Sequence, residues 1–423
     1  MATTYLTRSI SSGADLTKWT WSCWVKRTDL IGAGNNYQRL ISNEHSGDNS
    51  KAWYLRFQNS TEFHGWDQLG SFEFTTNAKF RDVNGWYHLV VKYDSTQSTE
   101  SNRLKVYANG EEQSFSAVHY PTLNEASNFM NSNVGYVDIG FYRQGTSEYF
   151  GGLMSHMHFT AGYAYDASAF GSTDATTGEW KINTSPNVTY GSLGFFILKD
   201  GNSVTDQSPN TNNFTVGGGT LTKTEDNPSN IFCTLNSLAT GNSKPTFSNG
   251  SNRVVATANS YQFSCGTIAV PLTGKWYWEV KADNNVNGSN SEYLIGAVLE
   301  SRLEASGNFA EFAADGITQY GSVGTGIGAN DIIGVSVDRT AATLKIYKNN
   351  SLILTKSSLP AELLYPMVTV YGSGVNAYAN FGNGYFGTTA VSSAGTNASN
   401  NGIFEYDVIP SDANALSTKG INS

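Results

Sequence analysis

The chain has 423 residues, of which 39% are hydrophobic and 13% aromatic; it is too long for a single core and too apolar to be disordered. Charged residues make up only 14%, against roughly 25% in an average globular chain. The net charge of −9 and the lack of any Lys/Arg run speak against a nucleic-acid partner.

No apolar run approaches the ~20 residues of a membrane span, and Met1–Leu6 lacks the apolar region of a signal peptide. Cys23, Cys233 and Cys265 have no metal-ligand spacing, and their odd number argues against a disulfide framework. Thiols kept reduced in a cytoplasm are the expectation.

Taken in order, residues 1–160 read as strand after strand. Lys18–Lys26 puts Trp19, Trp21, Cys23 and Val25 on one face and Thr20, Ser22, Trp24 and Lys26 on the other. Trp53–Phe57 alternates in the same way. Gly85–Tyr93 and Arg103–Ala108 follow, the latter ending at Asn109-Gly110, a strong hairpin signal. Val134–Tyr142 and Leu153–Thr160 continue the series, and only short pieces such as Asp166–Phe170 suit a helix. Residues 226–250, with Pro228 and Pro245, read as a connection. Beyond it, Gly274–Lys281 alternates Trp276, Trp278 and Val280 against Tyr277, Glu279 and Lys281. Tyr293–Leu299, Ile332–Asp338, Thr343–Lys348 and Tyr365–Tyr371 complete a second set of strands. The expected fold is all-β, two sandwiches at 1–225 and 251–387 with a tail at 388–423. That tail holds too little apolar surface for a third core and is expected to pack on a sandwich or a neighbouring subunit.

The Trp19–Arg27 strand, Gly85–Val91 and Leu104–Gly110 together resemble a laminin-G-like, concanavalin A-type jelly roll. Gly152–Phe159, Ala167–Gly171, Gly178-Glu179-Trp180, Tyr190–Phe195 and Asn210–Phe214 resemble the version of that fold carried by structural proteins of tailed phages, especially marine ones. Where that family often has an acidic residue after its His-Phe pair, this chain has Thr160-Ala161. In the second sandwich, Gly274–Val280, Asp331–Asp338, Leu344–Asn350, Tyr365–Val368 and Asn380–Gly382 resemble a SPRY domain. The resemblance implies binding folds without catalytic residues. It also implies a place on a virion surface among other virion proteins, as a homo-oligomer made in the host cytoplasm.

A laminarinase-type hydrolase needs paired carboxylates on one strand, and the nearest run, Glu405-Tyr406-Asp407, lacks a third. There is no Gly-x-Ser-x-Gly elbow, and Gly324–Gly328 has neither the Lys-Ser/Thr nor the βαβ context of a phosphate loop. His156 and His158 alternate on one strand without an evident third metal ligand. Asp200 and Asp206 flank Gly201-Asn202 and form a candidate calcium site, since laminin-G-like modules hold calcium with Asp side chains; no other cofactor is expected. The remaining signal is aromatic residues in loops, where sugar rings stack. The candidate glycan-binding residues are His64, Trp66, Asp67, Tyr142, Arg143 and Tyr149. The expected function is host-glycan recognition by a tail fibre or related appendage. Head decoration through protein contacts, and a polysaccharide-degrading enzyme, are the competing readings.

Overall fold

The computed structural model describes residues 3–10, 16–30, 37–45, 48–59, 61–130, 135–143, 148–199, 204–239, 243–283, 292–303, 319–320, 327–392, 395–396, 401–406 and 411–423. The chain is all-β and divides into two compact units, Met1–Lys223 and Thr224–Ser423.

Unit 1 begins with β1 (Tyr5–Ile10), β2 (Lys18–Arg27), β3 (Gln38–His45), β4 (Asp48–Gln58) and β5 (Glu62–Asp67). It continues through β6 (Glu73–Lys79), β7 (Trp86–Asp94), β8 (Leu104–Ala108), β9 (Glu111–Glu112) and β10 (Phe115–His119). The remaining strands are β11 (Gly135–Ile139), β12 (Gly152–Ala161), β13 (Gly171–Thr173), β14 (Trp180–Ile182), β15 (Phe195–Ile197) and β16 (Thr215–Gly218). An eight-stranded sheet runs β10-β6-β5-β4-β3-β11-β1-β16, and a six-stranded sheet runs β15-β12-β2-β7-β8-β9. Between them lies one core that includes Trp19, Trp21, Trp53, Phe57, Phe63 and Tyr93, all fully buried.

The inward and outward residues of β2 fall as its alternation predicts, with one difference. Its second face is also covered: Trp24 stacks on His88 with ring centroids 4.8 Å apart, and every residue from Trp19 to Arg27 is buried. A period of two cannot distinguish a solvated outer face from one roofed by a distant segment. Here the roof is the stretch around Tyr165, Phe170 and Trp180, which packs over Val90 and Tyr107. The helical piece expected at Asp166–Phe170 is a single 3₁₀ turn, Ala167–Ala169.

Unit 2 contains β17 (Thr246–Ser248), β18 (Arg253–Val255), β19 (Tyr261–Cys265), β20 (Lys275–Ala282), β21 (Glu292–Leu299) and β22 (Gln319–Tyr320). Then come β23 (Ile332–Asp338), β24 (Thr343–Lys348), β25 (Ser351–Ser357), β26 (Leu364–Tyr371) and β27 (Asn376–Asn380). The path β17-β18-β27-β20-β23-β24-β25 faces the sheet β19-β26-β21-β22 across a core holding Trp276, Trp278 and Val280. The stretch 226–250, expected as a connection, is part of this unit. Cys233 and Leu235 enter its core, and Thr246–Ser248 is a sheet strand. The C-terminal segment packs here too: Asn414–Ala415 pairs in parallel with β20, and Phe404, Ala413 and Ala415 cover Tyr277.

Candidate functional site

In the eight-stranded sheet, alternation fixes which side chains are available. On β4, Trp53, Leu55 and Phe57 point into the core, leaving Tyr54, Arg56 and Gln58 on the outer face. On β5, Phe63 and Gly65 point inward and His64 and Trp66 outward. A Cβ at Gly65 would strike the Phe74 ring, so the inner layer is closed there. Pairing then lines up one continuous outer row across six strands: Thr7, Asp138, Ser42, Tyr54, Trp66 and Glu73. A second row beside it runs Arg39, Arg56, His64 and Thr75. At the usual interstrand spacing the longer row spans roughly 24 Å.

Cations and rings alternate along these rows. The Tyr54 and Trp66 rings lie 5.3 Å apart. The Arg39 guanidinium stands 3.9 Å from the Tyr54 ring and 4.6 Å from that of Tyr142. Arg56 stands 4.4 Å from Tyr54 and 4.0 Å from Tyr37. One carboxylate anchors the group: Glu148 accepts from Arg39 Nε at 2.6 Å and lies 4.0 Å from Arg56. The Arg39 amide also donates to the Glu148 carbonyl at 3.0 Å. Two guanidiniums against one carboxylate leave the centre positive and the rings rigidly held.

Each sequence candidate has a definite place. Trp66 is partly exposed in the row, but it lies within strand β5 and not in a loop. His64 is buried beside it; its Nδ1 pairs with Thr75 Oγ1 at 3.0 Å and its Nε2 with Tyr54 Oη at 3.4 Å. Burial first, then the charge of Arg56, pushes its pKa down to about 4, so it is a neutral spacer. Asp67 is fully buried and caps the turn that follows, accepting from the Ser71 amide and hydroxyl; it is withdrawn from any ligand. Tyr142 joins the Arg39 stack. Arg143 forms a bidentate pair with Asp138 at 2.7 and 2.5 Å and covers the exposed Tyr136 ring at 4.4 Å. Tyr149 packs at a tilt against Phe141 at 4.8 Å, and Phe141 stacks on Tyr5 at 4.3 Å. Three small groups thus share one sheet face. Arg39, Tyr54, Arg56 and Glu148 were missed in the sequence, although the alternation of Trp53–Phe57 already assigns Tyr54 and Arg56 to the polar side.

Of the calcium candidate, Asp206 is already engaged within the protein. It accepts four hydrogen bonds, from the amides of Phe196, Ser208 and Asn212 and from Ser208 Oγ, all at 2.8–2.9 Å. Its oxygens are committed to holding a turn. Asp200 lies outside the described residues, and no cluster of three or more His, Cys, Asp or Glu suited to a metal occurs among those described. His156 and His158 do not act as a ligand pair. A bulge separates them, and both lie against Phe196, His158 stacked at 3.9 Å and bonded to Tyr190 Oη at 2.9 Å.

One side-chain pair looks like a nucleophile and its base. Ser22 Oγ sits 2.8 Å from His88 Nε2. However, Trp180 Nε1, which can only donate, bonds His88 Nδ1 at 3.0 Å. The neutral ring therefore carries its proton on Nε2 and donates it to Ser22. A histidine that donates to the serine cannot remove its proton.

A family model described as the concanavalin A-like lectin/glucanases superfamily, of laminin-G type, matches residues 2–164. Solved structures similar to the chain include the SPRY domain of human HERC1. That likeness has 14% identity and a TM-score of 0.27, covering 34% of this chain and 96% of that one. The TRIM65 PSpry domain is another, at 13% identity and a TM-score of 0.27, covering 35% of this chain and 89% of that one. No curated protein matches the chain. The first unit is a jelly-roll β-sandwich, similar over residues 2–164 to the concanavalin A-like lectin/glucanases superfamily.

Proposed function

We propose that this protein is a non-enzymatic attachment protein that recognises a surface glycan through the outer face of its eight-stranded sheet. The carrying observation is the row Tyr54–Trp66 with the Arg39–Tyr142 stack beside it. The partly exposed rings of Trp66 and Tyr142 offer flat apolar faces to pyranoses over a layer fixed by the buried Tyr54 and Arg39, and the partly exposed Arg56 guanidinium offers donors to hydroxyls. Carboxylates that a hydrolase would need free, Asp138 and Glu148, are each taken up by arginine, which supports binding without turnover. The binding needs no cofactor. The motifs shared with tailed-phage structural proteins support a place on the virion surface, as a homo-oligomeric fibre or appendage.

The test is binding of labelled full-length protein to intact host cells, before and after enzymatic stripping of surface glycans. Saturable binding that is lost on stripping and weakened by Trp66→Ala and Tyr142→Ala supports the reading. Binding indifferent to both changes would overturn it. A second reading is favoured by the same side chains: tyrosine and arginine also dominate protein–protein hot spots. A structural role in head decoration or a tail accessory would appear as particle incorporation lost on Trp66→Ala, with no affinity for cells.

A further inference from the structure

The six-stranded sheet of unit 1 carries a second feature on its outer side, independent of the face just described. Lys92 on β7 and Lys105 on β8 are direct cross-strand partners. Like charges placed opposite each other on a sheet are destabilising, so the pair calls for an anion. Part of the answer is internal: Lys92 Nζ lies 2.8 Å from Asp166 Oδ1, and Lys105 Nζ lies 2.8 Å from Glu112 Oε2. The Glu112 side chain is half exposed, and such surface pairs contribute little.

Between these groups opens a cleft of about 450 Å³, lined by Lys92, Asn102, Lys105, Tyr107, Asp166 and Trp180. That volume suits a sugar unit or two rather than a long chain. Its wall is fixed. The Trp180 ring is wedged beside Gly110, whose positive φ of 83° belongs to the Asn109-Gly110 turn, and beside Gly171; a Cβ at either glycine would collide with the indole. Its Nε1 is tied to His88. Asp166 Oδ1 receives both Lys92 and, at 2.7 Å, the Tyr107 hydroxyl. Burial works against its charge, but these donors and the nearby Lys105 hold its pKa below the usual carboxylate value. The acceptor is therefore ionised and is oriented through Oδ1.

From this arrangement we infer that the cleft binds an acidic sugar residue, a uronate. The Lys92–Lys105 pair takes its carboxylate, and Asp166 Oδ2 with the Asn102 amide takes its ring hydroxyls. Each ammonium has three N–H groups and uses one, so both lysines have donors to spare. The fixed Asp166 carboxylate discriminates within anions. It would repel the double charge of a phosphate monoester more than the single charge of a carboxylate, yet accepts readily from hydroxyls, whereas a neutral sugar leaves the lysine pair unmet. Walls preassembled by Trp180 and Tyr107 lower the ordering cost of binding.

The experiment is calorimetric titration of the full-length protein with short oligogalacturonates and mixed alginate oligomers, against the same oligomers after carboxyl reduction. Expected is saturable binding of at least one acidic oligomer, weakened about tenfold or more by carboxyl reduction and by Lys105→Met. It should also weaken with rising salt and with Asn102→Ala, a change in a short 3₁₀ turn without buried residues that leaves the fold intact by circular dichroism. Trp66→Ala should leave this binding unchanged, which separates it from glycan recognition on the opposite face. Absence of binding by every acidic oligomer, equal binding of the reduced forms, or indifference to both Lys105→Met and Asn102→Ala would overturn the assignment.

Discussion

Arg39 shows how a single side chain can serve both architecture and recognition. Its guanidinium touches two tyrosine rings and a carboxylate, and both it and Glu148 are almost fully buried. Arg39→Ala would leave Glu148 buried beside a smaller positive charge, a change that costs about 3–5 kcal/mol for a broken buried pair. The expected outcome is a lowered denaturation midpoint together with lost glycan binding. Trp66→Ala should separate the two effects, leaving the midpoint nearly unchanged while binding weakens about tenfold through loss of ring stacking. Histidine titration adds a pH signature. Burial lowers the His88 pKa to about 3 and that of His64 to about 4, both from 6.5. Their contribution to stability is complete above pH 6.5 and is lost as the pH falls, through about 4 for His64 and about 3 for His88. Urea midpoints measured across that range should show His64→Gln flattening the upper part of the decline.

At the scale of elements, strand β20 holds down the C-terminal segment. Glu279 accepts from the amides of Glu405 and Tyr406 at 2.8 and 3.0 Å, from Tyr277 Oη at 3.2 Å and from Asn380 Nδ2 at 3.3 Å. Burial nevertheless dominates and raises its pKa to about 7, with the four donors pulling the other way. The sign is opposite to that of the histidines. Stability from Glu279 is fully present below pH 4.5, its unfolded value, and is lost as the pH rises through about 7. Glu279→Gln should remove that dependence, so that the stability gap between variant and wild type shifts in the variant's favour as the pH rises from 4.5 through about 7. The same region shows where sequence reading stops. Alternation correctly placed Trp276, Trp278 and Val280 against Tyr277 and Glu279, since it depends only on the pleat. Nothing local indicates that residues from beyond 400 would return to cover Glu279. Likewise, Phe232, Cys233 and Leu235 form too short an apolar run, among polar neighbours, to announce a core contribution. In unit 1, Asp67 and His64 had the composition of a binding loop, but only the register shows that one caps a turn and the other is buried under Tyr54.

For the whole molecule, the all-β class and the two cores were legible because strands declare themselves locally, whereas the outer-face rows exist only once six strands are aligned. Two compact units with separate cores predict two calorimetric transitions. A fragment of residues 1–223 should reproduce one of them. Their pH responses should diverge: between pH 6.5 and 4.5 the histidines weaken unit 1 on acidification while Glu279 strengthens unit 2. Assigning the transitions by the His64 and Glu279 variants checks this directly. Coincident transitions with identical pH dependence would contradict it.

The eight-stranded sheet closes its edge with β16 laid against β1, and Thr4 Oγ1 donates to the Thr220 carbonyl across 216 positions of sequence. On the ribosome, the first strand of this unit therefore waits for nearly the last before its outer edge is paired. During synthesis Tyr5–Ile10 presents unpaired amides and carbonyls to the solvent and to neighbouring nascent chains. Such long-range closure folds slowly and is open to misassociation, so yield at high expression, rather than final stability, is where this topology exacts its cost.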